Sequence, residues 1–148
     1  RSTEISKIIE WALEPVLDLD KYPNTVIDVH INIIQADAGT RCAGINAASM
    51  ALAHAGVPMK DLILSVSAGK LDKTIVLDLS KEEEDFEDGE GATDIPISMT
   101  NSGELTHLQL DGKINSKQLK KAIEMARKAS KKIYEIQKKA LKEAVNSE

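Results

Sequence analysis

The chain has 148 residues, 42% of them hydrophobic and 29% charged, and a formal net charge of −5. This balance is ordinary for a globular protein and excludes a strongly basic chain that wraps nucleic acid by itself, while 3% aromatic residues exclude a row of base-stacking side chains. The single Cys42 excludes an internal disulfide and leads us to expect a cytoplasmic protein; no apolar run reaches the roughly 18 residues of a membrane span, so no membrane partner is expected.

The first part of the chain predicts a helix, a strand and a second helix. Residues 2–19 carry apolar side chains every three or four positions, which is typical of a helix, with Pro15 near its end. Residues 26–36 alternate between apolar and polar side chains, as a half-buried strand does. Residues 42–55 are rich in alanine, and a helix with small side chains on every face can pack closely on several sides. We therefore expect this second helix in the middle of the domain.

The rest of the chain predicts four short strands and one long helix. The strands are expected at 62–68 and 74–79 around a turn at 69–73, and at 93–100 and 104–110 around an Asn-Ser-Gly turn. Between the two pairs lies an acidic segment, residues 81–92, predicted as a loop. Residues 78–94 hold nine carboxylates against one lysine, and residues 113–148 hold eleven lysines and arginines against four glutamates. The long helix is predicted to begin at Ser116. We interpret most of the charges in both segments as solvated surface.

The turn Asp37-Ala38-Gly39-Thr40-Arg41, called the phosphate turn below, precedes the alanine-rich helix. A helix N-terminus presents free N–H groups and the positive end of the helix dipole. Gly39 allows close backbone approach, Thr40 offers a hydroxyl, and Arg41 has a planar fork that grips two phosphate oxygens. These features favour a phosphate site, although Thr40 as a helix cap and Arg41 as a surface charge explain the same residues without a ligand.

A second constellation is the run from Asp88 to Asp94, which contains two glycines. Two carboxylates held close by a flexible loop can share a hard divalent cation such as Mg²⁺. The alternative is a chance pair in a segment rich in acids. The three histidines, His30, His54 and His107, lack ligand spacing, so no catalytic or metal role is expected for them.

Cys42 directly follows Arg41 at the predicted helix start. This neighbourhood could lower the pKa of its thiol. No evident base accompanies it, however, and we interpret Cys42 as a small packed residue.

Several segments resemble the ribonuclease PH family. QADAGTR, followed by the alanine-rich helix ending in AHAG, resembles the family's phosphate-binding segment. AGINAAS and AGVPMKDLI are closest to the branch that forms the catalytic ring subunit of the archaeal exosome. Further matches, in order along essentially the whole chain, are RSTEIS, KTIVLDLS, TDIPISM, LQLDG and KKIYEIQKKAL.

The resemblance implies an α/β fold in which a mixed sheet is packed with helices. This is the ribonuclease PH-like fold, also called ribosomal protein S5 domain 2-like, and it carries a long C-terminal helix. Residues 1–148 would form a single ribonuclease PH-type domain that corresponds to the second half of the usual chain, without its N-terminal half.

The resemblance also implies a phosphorolytic 3′→5′ exoribonuclease, in which inorganic phosphate attacks the last phosphodiester of single-stranded RNA and releases a nucleoside diphosphate. The reaction would be reversible. The implied site residues are Gly39, Thr40 and Arg41 for phosphate, Asp88 and Asp94 for catalysis and for Mg²⁺ or Mn²⁺, and Arg1 for RNA. The acidic segment is longer than the family pattern, so Asp85 competes with Asp88 for the first carboxylate role.

The resemblance further implies a six-membered ring in which this chain alternates with an inactive sister subunit and which RNA-binding cap subunits cover. Three other functions remain open at this point. The chain could be a non-catalytic ring subunit of the same fold or a stand-alone enzyme that trims transfer-RNA 3′ ends. It could also be an anion- or metal-binding module without catalysis.

Overall fold

The computed structural model describes residues 2–147. The helices are α1 (Ser2–Leu13), α2 (Thr40–His54), α3 (Lys81–Glu84) and α4 (Ser116–Asn146), and the strands are β1 (Ile63–Leu71), β2 (Thr74–Leu77), β3 (Ala92–Thr100) and β4 (Leu105–Leu108). No helix within this range is both long and apolar enough to cross a membrane.

The first helix is shorter than predicted because of Pro15. Helix α1 ends at Leu13, and two single turns of 3-10 helix follow at Glu14–Val16 and Leu19–Lys21. Proline has no backbone N–H, and its ring clashes with the carbonyl four residues earlier, so it does not continue an α-helix. The buried side of α1, which includes Ile8, Ile9 and Leu13, still packs on α2 as the apolar spacing predicts.

The four strands form one sheet in the order β2-β1-β3-β4. The predicted α/β class, with a sheet packed with helices and a long last helix, is confirmed. All pairings among the described strands are antiparallel, however, whereas a mixed sheet is expected from the resemblance. For β1 with β2 and for β3 with β4 the antiparallel pairing follows from the connections, because strands joined by two to a few residues must reverse direction. Residues 69–71, predicted as a turn, belong to β1, and the turn is reduced to Asp72-Lys73.

Alternate side chains of β1 face two different helical layers. On one side, Ser65 bonds to the thiol of Cys42 in α2. On the other side, Val66 and Ala68 pack with apolar residues of β3 and with Ala122 of α4. Side chains two positions apart along a strand share a face, so Ser67 lies on the same face as Ser65. The α2 face of the sheet is therefore the polar face, and the candidate site lies on it.

Residues 26–36 do not form the predicted strand. Ile27 and Ile31 pack against the core between α1 and α2, but Val26 is 81% exposed and Ile34 is 94% exposed. A cleft of about 830 Å³ lies between this segment and α1. A strand exists only where a neighbour pairs with its N–H and C=O groups. Within residues 2–147 no strand pairs with this segment, so the alternating pattern lacks the partner that would make it a strand.

Helix α4 is 31 residues long, about 46 Å at the rise of an α-helix. It begins with a capping box in which the side chains of Asn115 and Gln118 each bond to the other's backbone N–H. A second capping box, formed by Ser80 and Glu83, begins the short helix α3 inside the acidic segment that was predicted as a loop. The prediction of the long last helix is confirmed.

Close approach between β1 and β3 requires glycine at position 69. A Cβ atom placed on Gly69 would lie 2.6 Å from the carbonyl oxygen of Thr93 and would also collide with Leu79 Cδ1. We therefore expect Gly69→Ala to lower the free energy of unfolding by about 1–3 kcal/mol, because the backbone next to Asp94 must move. The shift of the urea midpoint at constant m-value measures this loss.

Gly44→Ala is the matched control for Gly69→Ala. Gly44 lies inside α2, where an added Cβ would meet Ile9 and Ile31 at ordinary contact distances of 3.5 and 3.6 Å. Alanine is the better helix former, so this variant should keep or raise the urea midpoint. Equal midpoints for the two variants would show that β1 and β3 are not as tightly opposed as described.

Candidate active site

The phosphate turn contains a glycine in the left-handed backbone conformation. Gly39 has φ +65° and is the N-cap of α2, so Thr40, considered above as the cap, is the first residue of the helix. The first intrahelical bond runs from the Ala43 N–H to the Gly39 carbonyl. Amides earlier in the first turn have no such partner inside the helix and point out of its N-terminus. This end of α2 can bind an anion through its amides and its dipole.

Arg41 is anchored by Gln109, the residue that directly follows β4. Its Nη1 donates a 2.7 Å hydrogen bond to Oε1 of Gln109, and the Gln109 N–H donates to the carbonyl of Pro96 in β3. The guanidinium is half-buried, and its remaining N–H donors can bind a ligand. Sequence reasoning did not single out Gln109, although it lies inside the LQLDG match.

Asp94 is held both by its backbone and by its side chain. Its N–H and carbonyl exchange two 2.9 Å hydrogen bonds with Asp111, and its Oδ1 accepts a 2.5 Å hydrogen bond from Oγ of Ser67. Ser67 is 3% exposed, so its hydroxyl has little freedom to turn away. A carboxylate oriented by such a bond presents its second oxygen in a fixed direction, which suits a metal ligand.

The charges of Arg41 and Asp94 reach the same two groups. Partial burial, followed by the charge of Asp94, raises the pKa of the Glu84 carboxyl, while Lys81 and Arg41 oppose the rise. The thiol of Cys42 also responds to both Arg41 and Asp94. Because Arg41 bonds to Gln109 and the nearby Asp111 pairs with Asp94, the structure brings the phosphate turn and the start of β3 into one neighbourhood, although they are far apart in sequence.

Cys42 is not a nucleophile in this neighbourhood. Burial raises the pKa of its thiol to about 11, with Asp94 and Asp78 adding to the rise and a hydrogen bond to Ser65 and the charge of Arg41 opposing it. The thiol is thus protonated at neutral pH, and only the thiolate is reactive. The suggestion of a lowered pKa is wrong, because desolvation outweighs the adjacent arginine, and the interpretation as a packed residue is supported.

The other two candidate aspartates lie on the surface of the acidic segment. Asp88 is exposed. Asp85 forms an exposed 2.6 Å ion pair with Lys81. Glu84, which the sequence did not single out, is a carboxyl whose pKa is raised by burial and then by the charge of Asp94. Both aspartates and Glu84 thus remain candidates for the first carboxylate.

The donor set limits what kind of metal this neighbourhood could hold. Within residues 2–147 no group of three or more His, Cys, Asp or Glu side chains is arranged to hold an ion. Mg²⁺ and Mn²⁺ accept oxygen ligands, and Mg²⁺ is commonly held by one or two carboxylates while keeping waters and substrate phosphates. Asp94 with one carboxylate of the acidic segment fits such an ion and does not fit a site built entirely from protein ligands.

Arg1 lies outside the described residues. His107 of β4 has its pKa lowered by burial and then by the charge of Arg41, so it lies near the phosphate turn as a neutral group at pH 7. His30 is exposed in the irregular segment 26–36.

Comparison with protein-family models gives two matches that follow one another along the chain. Residues 1–58 match domain 1 of the 3′ exoribonuclease family, and residues 61–129 match domain 2. The chain belongs to the ribonuclease PH family of 3′ exoribonucleases. The predicted family and fold are thereby confirmed.

Curated relatives carry the name exosome complex component Rrp41. The protein from Thermococcus gammatolerans is 50% identical over 144 residues, which is 97% of this chain and 56% of that protein. The one from Methanosarcina mazei is 48% identical over 142 residues, 96% of this chain and 28% of that protein. Rice (Oryza sativa) Rrp46 has the same fold, with a TM-score of 0.83 and 24% identity over 94% of this chain and 64% of the rice chain. The chain thus spans about half the length of relatives such as the Thermococcus protein.

Proposed function

We propose that the chain is the phosphorolytic 3′→5′ exoribonuclease subunit of an exosome ring. The observation that carries the proposal is a chain of hydrogen bonds: Arg41, at the N-terminus of α2, bonds to Gln109, and Asp111, two residues further on, pairs through its backbone with Asp94 at the start of β3. An anion site next to an oriented carboxylate is what phosphorolysis needs. The similarity to Rrp41 proteins supports the choice of RNA as substrate.

The proposed chemistry exchanges a phosphodiester bond for a phosphoanhydride bond. An oxygen of inorganic phosphate, held by the amides of Gly39 and Thr40 and by the fork of Arg41, forms a bond to the terminal phosphorus of the RNA. The bond from that phosphorus to the 3′ oxygen of the preceding nucleotide breaks, and the departing oxygen takes up a proton. Bringing two anions together costs Coulomb repulsion, which Arg41 and the helix amides offset. The anhydride of the nucleoside diphosphate conserves the free energy that hydrolysis would release, so the same site can also run the reverse reaction.

Asp94, kept in place by Ser67, is the residue assigned to metal binding and acid catalysis, together with Asp88 or its rivals Asp85 and Glu84. A bound Mg²⁺ or Mn²⁺ would neutralise part of the negative charge on the reacting phosphate. Thr40 contributes its hydroxyl to the phosphate, and Arg1 is assigned to the RNA backbone.

The assembly belongs to the same proposal. The ring would contain six subunits, with this chain alternating with an inactive sister subunit, and RNA-binding cap subunits would deliver single-stranded RNA in the cytoplasm. The name of the Rrp41 relatives supports an exosome assembly.

The test uses the assembled ring and a single-stranded RNA that carries a labelled 3′ nucleotide. With Mg²⁺ or Mn²⁺, release of labelled nucleoside diphosphate should require inorganic phosphate. Adding excess nucleoside diphosphate without phosphate should instead lengthen the RNA. Monophosphate release independent of phosphate would contradict phosphorolysis, and no release at all would favour a non-catalytic ring subunit. A homohexamer that is active without a sister subunit would favour the stand-alone transfer-RNA-trimming enzyme.

A further inference from the structure

Lys70 is a buried lysine that the proposed chemistry does not use. It lies near the end of β1, opposite Ile75 of β2 and Thr93 of β3, and its side chain is 2% exposed. Its Nζ forms a 2.8 Å ion pair with Oε2 of Glu90, whose side chain is 50% exposed. Burying an ammonium group is costly unless it is paired, and an apolar side chain of similar size often serves stability as well or better. The lysine therefore points to a role other than packing.

The partner of Lys70 belongs to a part of the acidic segment that is fixed at several points. The Glu90 N–H donates to Oδ1 of Asp72 over 3.2 Å, and the Asp72 N–H donates to the carbonyl of Gly91 over 3.0 Å. Gly89 has φ +63°, and a Cβ placed on it would lie 2.5 Å from Asp72 Oδ1. Residues 89–91 are thus pressed against the turn between β1 and β2.

These contacts lie between the two aspartates of the proposed site. Residues 89–91 directly follow Asp88 and end three residues before Asp94, and the Gly91 N–H donates to the Asp88 carbonyl over 3.0 Å. The surrounding charges are almost all negative, and such a segment repels itself and tends to extend into solvent. Lys70 supplies a fixed positive charge from inside the sheet, where water does not screen it well.

We propose that Lys70 is a positioning residue that anchors residues 88–91 through Glu90 and so sets the place of the Asp88 carboxylate relative to Asp94. This inference rests on the proposed function. Lys70 itself touches neither phosphate nor RNA in this role. Its loss should impair the chemical step and the use of the metal, while phosphate binding at Gly39–Arg41 is kept.

The experiment compares Lys70→Met with the wild type in the full chain within its ring assembly. Methionine fills the buried space without a charge, so folding should be preserved. We expect kcat to fall about 10-fold or more, and the Mg²⁺ concentration for half-maximal activity to rise, with KM for phosphate unchanged. Amide hydrogen exchange of residues 88–91 should become faster, because the segment is released. Lys73→Met, an exposed lysine in the adjacent turn, is the control and should change none of these values.

A second variant, Glu90→Gln, removes the partner's charge while leaving Lys70 in place, and it decides the question if Lys70→Met fails to fold. The double variant should be no worse than the worse single one, because the two residues act through one ion pair. Normal folding with unchanged kcat and unchanged exchange would overturn the proposal, and so would a rise in KM for phosphate with kcat kept. If the wild type releases no diphosphate, the proposed function fails, and so does the effect of Lys70 on turnover. The exchange measurement then still shows whether Lys70 anchors the segment.

Discussion

Asp94→Asn should lower kcat for diphosphate release by about 10²–10⁴-fold, with the fold intact. Asparagine has the same shape, and its carbonyl oxygen can still accept the hydrogen bond from Ser67 Oγ. It lacks the negative charge that binds a cation and cannot donate a proton. Single-turnover release of labelled diphosphate at saturating phosphate and RNA measures the effect, and the urea midpoint reports on folding.

Asp20→Asn serves as the control, because Asp20 lies in a single exposed turn after α1 and should leave turnover unchanged. The same assay is applied to Asp88→Asn, Asp85→Asn and Glu84→Gln. The first carboxylate is the one whose substitution lowers kcat nearly as much as Asp94→Asn does. Unchanged turnover in Asp94→Asn, with phosphate still bound, would point to a binding module without metal-assisted chemistry.

Arg41→Lys should raise KM for phosphate by about 10–100-fold, which corresponds to the loss of one charged hydrogen bond. Lysine keeps the charge but not the planar fork, so it cannot bond to Gln109 and grip two phosphate oxygens at once. We expect a smaller change in kcat, because phosphate that does bind still meets Asp94. Initial rates at saturating RNA over a range of phosphate concentrations give the two constants.

Arg127→Lys is the matched control for Arg41→Lys. Arg127 lies in α4, where its Nη1 donates to the carbonyl of Gly103 at an exposed position. Its replacement should not alter KM for phosphate. If Arg41→Lys likewise leaves KM unchanged, then Arg41 is a structural partner of Gln109 and the phosphate turn does not bind the attacking anion.

Much of the fold follows from local pattern. Helix α4 is predictable because its apolar spacing continues over many turns, and α2 is predictable to within about two residues, since it begins at Thr40 where residue 42 is predicted. The errors arise where a neighbour decides the outcome. Residues 26–36 alternate as a strand does but have no described strand to pair with, and residues 69–71 extend β1 because β2 and β3 pair with them on both sides.

The site is predictable only in part. The phosphate turn is visible in the sequence because its residues are adjacent, and Asp94 is visible through the family pattern. The proximity of the phosphate turn to Asp94 is not visible in the sequence, because it depends on how α2 packs on the polar face of the sheet. One signal was available for Ser67: serine alternates with apolar residues in Ser65-Val66-Ser67-Ala68, which indicates a strand face with bonds to make. No short-range signal identifies Glu84 or Lys70.

The buried thiol of Cys42 offers a built-in chemical probe of motion at this site. It is the only cysteine in the sequence, it is 6% exposed, and its pKa of about 11 keeps it unreactive while α2 stays seated on β1. Alkylating reagents can therefore modify it only during transient separation of the helix from the sheet. Comparison of the labelling rate with and without orthophosphate would show how far a bound anion slows the separation of the N-terminus of α2 from the sheet.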